Sequence, residues 1–333
     1  MMKSSSRPRN DGYDRSRSWW RPTLAAVLVA SSASCSASSP TLTVVAYKKE
    51  VVADDGFVLS AFDLHLKGRA KEEVPQAWMF YIVGSEPVSV VDSTAQYADL
   101  VARGFVVVLL QPRGVSRNGS VDQDVFRQYE TRQRRAADQR AVMDAYLSDS
   151  ENAPVLLVGT SQGGTVAADV AASESRVTHL LMLASGGGLT QAEEIETLFL
   201  ERGQGPSELS SVEALHARFD EIQANPDSGE LWLGHPFRMW SSYLWFRPMD
   251  GLRGLSIPIF LAQGTADDAV PVESARAMRG EFSRLGKTNL TYMEYPGLDH
   301  HFDNEDGETG LMEVQEDAFT WMAATGLMRA NAR

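Results

Sequence analysis

The peptide Gly159-Thr160-Ser161-Gln162-Gly163 stands between an apolar run, Pro154–Val158, and a stretch of small residues, Gln162–Ala172. A serine with glycine two positions before and two after, at a strand-to-helix turn, is a candidate nucleophile. The turn is so tight that side chains at the glycine positions would clash, so the serine projects alone. The helix begun by Gln162 points its N-terminus at the same spot and favours negative charge there. A hydroxyl is a weak nucleophile, however. It needs a base to take its proton and a carboxylate to orient that base and stabilise its cation. The chemistry within reach is therefore acyl transfer through a covalent intermediate, provided that a histidine and an acid are brought to Ser161.

The elements that must bring them together alternate in type. Thr41–Val52 and Gly56–Leu66 are β-rich and separated by Asp54-Asp55, which predicts a hairpin. Strands are expected at 76–83, 105–110, 154–158, 177–184, 257–262 and 290–295. Helices are expected at 93–102, 162–172, 274–285 and 313–324, with one long charged helix over 122–147. Phe105–Leu110 (FVVVLL) has the unbroken apolar character of a strand buried on both faces of a parallel sheet. Antiparallel strands followed by strand–helix alternation predict an α/β sheet with helices on both faces. Residues 186–255 interrupt that alternation with no clear strand.

Taken with its strand–turn–helix setting, the Ser161 peptide resembles the nucleophile elbow of the α/β-hydrolase superfamily. The resemblance covers about residues 41–326 and implies the order nucleophile, acid, histidine along the chain. Of six histidines, at 65, 179, 216, 235, 300 and 301, only the last two follow the final strand, in Pro296-Gly297-Leu298-Asp299-His300-His301-Phe302. The family's His-x-Phe spacing places the base at His300 and leaves His301 beside it. Side chains at i and i+1 of a loop diverge, so this pair is not read as a metal site. His179 and His235 are read as structural. Gly264-Thr265-Ala266-Asp267-Asp268-Ala269-Val270-Pro271 resembles the family's G-x-x-D-x-x-V-P loop, whose register selects Asp267. Asp268 is then expected to cap or solvate the turn before the next helix. The earlier loop Ser185-Gly186-Gly187-Gly188 contains no carboxylate that could serve instead. The resemblance also implies two backbone oxyanion donors. One is Gln162, and the other comes from the loop after Val83, with Ser85 favoured over Gly84 and Glu86. The family's His-Gly at that loop is Val83-Gly84 here. Arg113-Gly114 resembles a family turn and is expected to hold loops near the site.

The same resemblance makes 186–255 a helical cap between core segments 41–185 and 256–326. Its aromatic cluster, Trp232, Phe237, Trp240, Tyr243, Trp245 and Phe246, offers pocket walls as well as lid packing. Trp240, Tyr243 and Trp245 are taken as the substrate-facing candidates, and Glu193, Glu194, Glu196 and Glu201 as a solvated helix face. The expected activity is a serine hydrolase acting on small carboxylic esters or thioesters, without cofactor or metal. The runner-up is an amidase or exopeptidase resembling the prolyl oligopeptidase group, and the last alternative is a non-catalytic binding relative.

The N-terminus reads as an address. Six basic residues from Lys3 to Arg21 precede the apolar run Thr23–Ala30 and the small residues Ser31–Ser39, the parts of a secretory signal peptide over residues 1–35. Ser32-Ala33-Ser34-Cys35 resembles a bacterial lipobox with Ser32 in the aliphatic position, making Cys35 the candidate lipidation site of an exported protein, periplasmic or a membrane-anchored lipoprotein, otherwise secreted. Cys35 is the single cysteine, which excludes an internal disulfide or a Cys-based zinc site. The whole chain of 333 residues is 43% apolar and 23% charged, which excludes disordered, collagen-like and multi-span membrane classes. Beyond residue 35 it carries 25 basic and 42 acidic residues, so nucleic acid and other anionic polymers are poor partners.

Overall fold

The computed structural model describes residues 43–68, 75–92, 94–148, 153–202, 209 and 211–328. Residues 1–35, expected as a signal peptide, and with them Cys35 lie outside the described residues. Strands β1 (Val44–Val52) and β2 (Val58–Leu66) form the expected antiparallel hairpin. They are followed by β3 (Ala77–Ile82), a 3₁₀ turn leading into the short helix α1 (Ala98–Ala102), and β4 (Phe105–Leu110). The stretch expected as one long helix is two, α2 (Gln123–Tyr129) and α3 (Arg132–Leu147). The break has a local cause: Thr131 is extended and its hydroxyl accepts from the Arg134 N–H, capping α3 and ending α2 behind it.

Then come β5 (Val155–Thr160), α4 (Gln162–Ser173) and β6 (His179–Leu183). Residues 186–255 hold α5 (Gln191–Arg202), α6 (Val212–Ala224), the two-residue pair β7 (Leu231–Trp232) and β8 (His235–Pro236), α7 (Phe237–Tyr243) and α8 (Pro248–Leu252). The chain closes with β9 (Ile259–Gly264), α9 (Val272–Arg284), β10 (Leu290–Tyr295) and α10 (Leu311–Ala324).

Eight strands make one sheet in the order β1-β2-β4-β3-β5-β6-β9-β10. Only β1–β2 and β2–β4 pair antiparallel; the rest are parallel. Every residue of β5, β6 and β9 is buried, as apolar runs covered by helices on both sides must be. Edge strand β1 instead exposes Lys48, Lys49 and Glu50, which blunts it against pairing with another chain. Two apolar layers flank the sheet. One contains Phe80, Val166, Leu215, Phe219 and Phe282, and the other Phe62, Tyr97, Phe260 and Trp321.

Strand order reverses between β3 and β5, since β3 leads outward to β4 while β5 leads the opposite way. In open α/β sheets the crevice outside the carboxyl ends of strands at such a reversal is the natural ligand position. Gly84-Ser85 after β3 and Ser161 after β5 sit on its two sides.

Arg113 holds the approach to that crevice. It donates to both oxygens of Asp138 at 2.7 Å and to Asp55 at 2.6 and 3.0 Å, and its guanidinium lies over both the Phe57 and the Tyr129 ring. The hairpin tip, the turn after β4 and helix α3 are thereby clasped together.

Candidate active site

The chain turns from β5 into α4 at one residue. Ser161 takes φ 52° and ψ −133°, a conformation that costs a non-glycine residue about 1–3 kcal/mol. It is held by the Ser161 N–H donating to the Leu183 carbonyl at 2.9 Å and by α4 lying close against the sheet. A Cβ at Gly159 would strike the Gly163 backbone, and one at Gly163 would strike the Ile82 and Val83 carbonyls. The two glycines are thus required by contact, and the serine between them stands clear.

His300 follows β10 and Asp267 follows β9, so three loops at the carboxyl edge of the sheet converge. The Ser161 Oγ lies 3.0 Å from His300 Nε2, and His300 Nδ1 lies 2.9 Å from both oxygens of Asp267. Asp267 is fully buried. Its Oδ1 accepts from the Ala269 and Val270 N–H groups at 2.9 and 2.8 Å, and its Oδ2 from the Gln263 amide at 2.7 Å. The carboxylate is therefore fixed before it orients the imidazole. Burial is the largest single influence on His300 and pushes it down. The charge and hydrogen bond of Asp267, with the charges of Asp268 and Asp299, outweigh burial and hold the ring above the ordinary histidine value.

The loop after β3 adjoins the serine. A Cβ built on Gly84 would lie 3.4 Å from the Ser161 Cβ and 3.8 Å from its Oγ, so this loop reaches van der Waals distance of the nucleophile position. Ser85, next along, is buried, and Gln162 begins α4 on the other side.

Ser161 opens into a cavity walled by Leu189, Ile195, Leu198, Trp240, Tyr243 and Val270 among others. Trp240 and Tyr243 are buried and reach it. Trp245 does not line it: it is 52% exposed, lies past the end of α7 and meets Phe219 edge-on. Glu194 departs from the expected solvated face. It is on the cavity wall, where its Oε1 accepts from the Ser274 hydroxyl at 2.6 Å, and burial pushes its carboxyl up to about 8. Asp268 does not cap α9, whose N-cap is Pro271; it stands exposed at the rim of the same cavity. Arg135 stands in no motif of the sequence, yet the fold brings it to the site. Its guanidinium lies between the loop after β3, the Gln162 side chain and Tyr243. His235 bonds Glu130 at 2.9 Å, and the His301 ring lies beside His300 without joining the Ser161 chain. Among the described residues, no group of three or more histidine, cysteine, aspartate or glutamate side chains is placed to hold a metal ion. Among the same residues, no helix is long and apolar enough to cross a membrane.

A comparison with curated proteins finds no match. Solved structures do match. An acylaminoacyl peptidase of Pyrococcus horikoshii superposes with a TM-score of 0.63 at 13% identity, over 87% of this chain and 43% of its own. A puromycin hydrolase gives 0.62 at 16%, over 90% and 42%, and Est1E of Butyrivibrio proteoclasticus gives 0.56 at 19%, over 84% and 98%. The chain thus spans less than half the length of the first two. At such identities these likenesses speak to the fold. The family is carried by the sequence itself, for residues 74–309 match the model of the alpha/beta hydrolase family, and the chain belongs to that family.

Proposed function

We propose that the protein is a serine hydrolase that cleaves carboxylic esters or thioesters through an acyl-enzyme. The observation that carries this reading is the unbroken hydrogen-bonded chain from Ser161 through His300 to buried Asp267, opening on an apolar cavity. In the first half-reaction His300 Nε2 takes the Ser161 proton as Oγ attacks the substrate carbonyl carbon. Asp267 keeps the Nδ1 proton directed and stabilises the imidazolium. The negative oxygen of the tetrahedral species is received by the backbone N–H groups of Gln162 and Ser85, where developing charge is costliest. Collapse expels the alcohol or thiol, which takes the proton from His300. Water then repeats the sequence and frees the acid. The apolar wall with Trp240 and Tyr243 receives the acyl group.

A second reading, an amidase or exopeptidase, is favoured by Asp268, whose exposed carboxyl lines the same cavity where a substrate amine could meet it. The test is turnover of p-nitrophenyl acetate and longer esters beside an aminoacyl p-nitroanilide, with Ser161→Ala as control. Ester turnover that exceeds anilide turnover and vanishes in Ser161→Ala is the expected result. Anilide turnover in excess would move the assignment to the second reading. The leader composition supports export, with Cys35 as the lipid attachment point.

A further inference from the structure

One side chain outside the Ser161–His300–Asp267 chain touches both loops that flank the nucleophile. Arg135, in the first turn of α3, donates from Nη1 to Gln162 Oε1 at 2.9 Å and to the Tyr243 hydroxyl at 3.4 Å. From Nη2 it donates to the Gly84 carbonyl at 2.9 Å and to the Val83 carbonyl. All four acceptors are uncharged. Its neighbours on the helix each reach a carboxylate, Arg132 pairing with Asp169 beside a bond to the Ser242 carbonyl and Arg134 with Asp54 and Asp138. Arg135 is thus the arginine of this run whose fork is directed at carbonyl and amide oxygens, and its planar geometry suits it to hold several at once.

The identity of those oxygens matters. The Gly84 carbonyl and the Ser85 N–H belong to one planar peptide unit, in which C=O and N–H point in opposite directions. A cation fixed on the carbonyl therefore sets where the N–H points. It also polarises that N–H into a stronger donor, as linked hydrogen bonds do in a low-dielectric interior. The other arm of the fork restrains Gln162, whose own N–H is the second donor of the proposed oxyanion site. We infer that Arg135 is a positioning residue that fixes both oxyanion donors and, through the Tyr243 hydroxyl, couples their geometry to helix α7 of the cap. This inference rests on the serine hydrolase reading.

Losing an oxyanion donor outright costs about 10²–10³ in kcat. Loosening two donors while removing neither is expected to cost about 10- to 100-fold. KM should stay within about threefold, because Arg135 does not line the acyl cavity.

The experiment compares the full chain with Arg135→Met, Arg135→Lys and, as a control on the same helix, Arg140→Gln, whose native side chain donates to the Ser173 hydroxyl and faces the Glu174 charge. Each is assayed with a p-nitrophenyl ester and with a trifluoromethyl ketone, which forms a tetrahedral oxyanion on the serine. Arg135→Met should lower kcat and weaken the ketone by a similar factor at near-constant KM. Arg135→Lys should recover part of both, and Arg140→Gln should match the unaltered chain. If Arg135→Met does not fold, the kcat and ketone affinity of Arg135→Lys carry the test, since one ammonium cannot span both loops. Unchanged kcat, a change in KM alone, or an equal loss in Arg140→Gln would overturn the inference while leaving the hydrolase reading intact. Absence of Ser161-dependent turnover in the unaltered chain would overturn both.

Discussion

Glu194→Gln should make the protein more stable in alkali while leaving it nearly unchanged in mild acid. The Glu194 carboxyl has an ordinary value of 4.5 and is pushed up to about 8 in the folded chain. Burial is the main cause, and the charge of Asp267 adds to it against the hydrogen bond from Ser274. A raised carboxyl is one that the folded state prefers to keep protonated. Its contribution to stability is complete below about pH 4.5 and is lost progressively as pH rises to about 8. The interval from 4.5 to 8 corresponds to about 5 kcal/mol at 1.36 kcal/mol per pH decade. Water reaching the carboxyl through the open cavity screens part of this, so about 2–3 kcal/mol is the expected cost at pH 8–9. Glutamine stays neutral throughout, and its carbonyl can still accept from the Ser274 hydroxyl. Thermal unfolding of both forms between pH 4.5 and 9 measures the difference, in which all other titrating groups cancel. The melting temperatures should lie close at pH 4.5 and separate in favour of Glu194→Gln by roughly 5–10 °C at pH 8–9. A gap that does not change with pH, or that favours the glutamate form in alkali, would refute the burial argument.

Asp267→Asn should lower kcat about 10³–10⁴-fold by leaving His300 in the wrong tautomer, while Asp268→Asn costs less than about tenfold; equal losses in steady-state assays would break the assignment. Because neutral His300 is the active form and its value is raised, kcat/KM should climb with pH along a limb centred above 6.5. That limb should move down in Asp268→Asn, which removes one of the charges that hold the ring up. Cys35→Ala should abolish incorporation of a labelled fatty acid in a bacterial host that processes lipoproteins, and incorporation that persists would place the lipid elsewhere.

Much of the fold was legible because its signals are local. Apolar runs such as FVVVLL and PVLLV can be buried only between helices, and the strands built on them occur in the expected order. The convergence of Ser161, His300 and Asp267 was legible only through the family's order of residues, since nothing local tells His300 from His301 or Asp267 from Asp268. Contacts made across the fold left weaker traces. Glu194 stands among four glutamates of α5 with the look of one polar face, yet helical rotation turns that one position toward Ser274 and the cavity. Arg135 follows three polar or charged neighbours and has a solvated pattern; only the packing of α3 against the β3 loop, α4 and α7 gives it its partners. The exclusion of Trp245 had a usable signal. Trp240 and Tyr243 are three residues apart and share a helix face, whereas Trp245 falls off that spacing, past the end of α7. The break at Thr131 was equally visible as a capping threonine inside an otherwise continuous charged stretch.

The central claim is that Ser161 is the nucleophile, and covalent labelling tests it most directly. Treated with a fluorophosphonate, the intact protein should gain one adduct mass per chain. Peptide mapping should place it on Ser161, and Ser161→Ala should take up none. An adduct mapped to another residue, or one that survives in folded Ser161→Ala, would contradict the account.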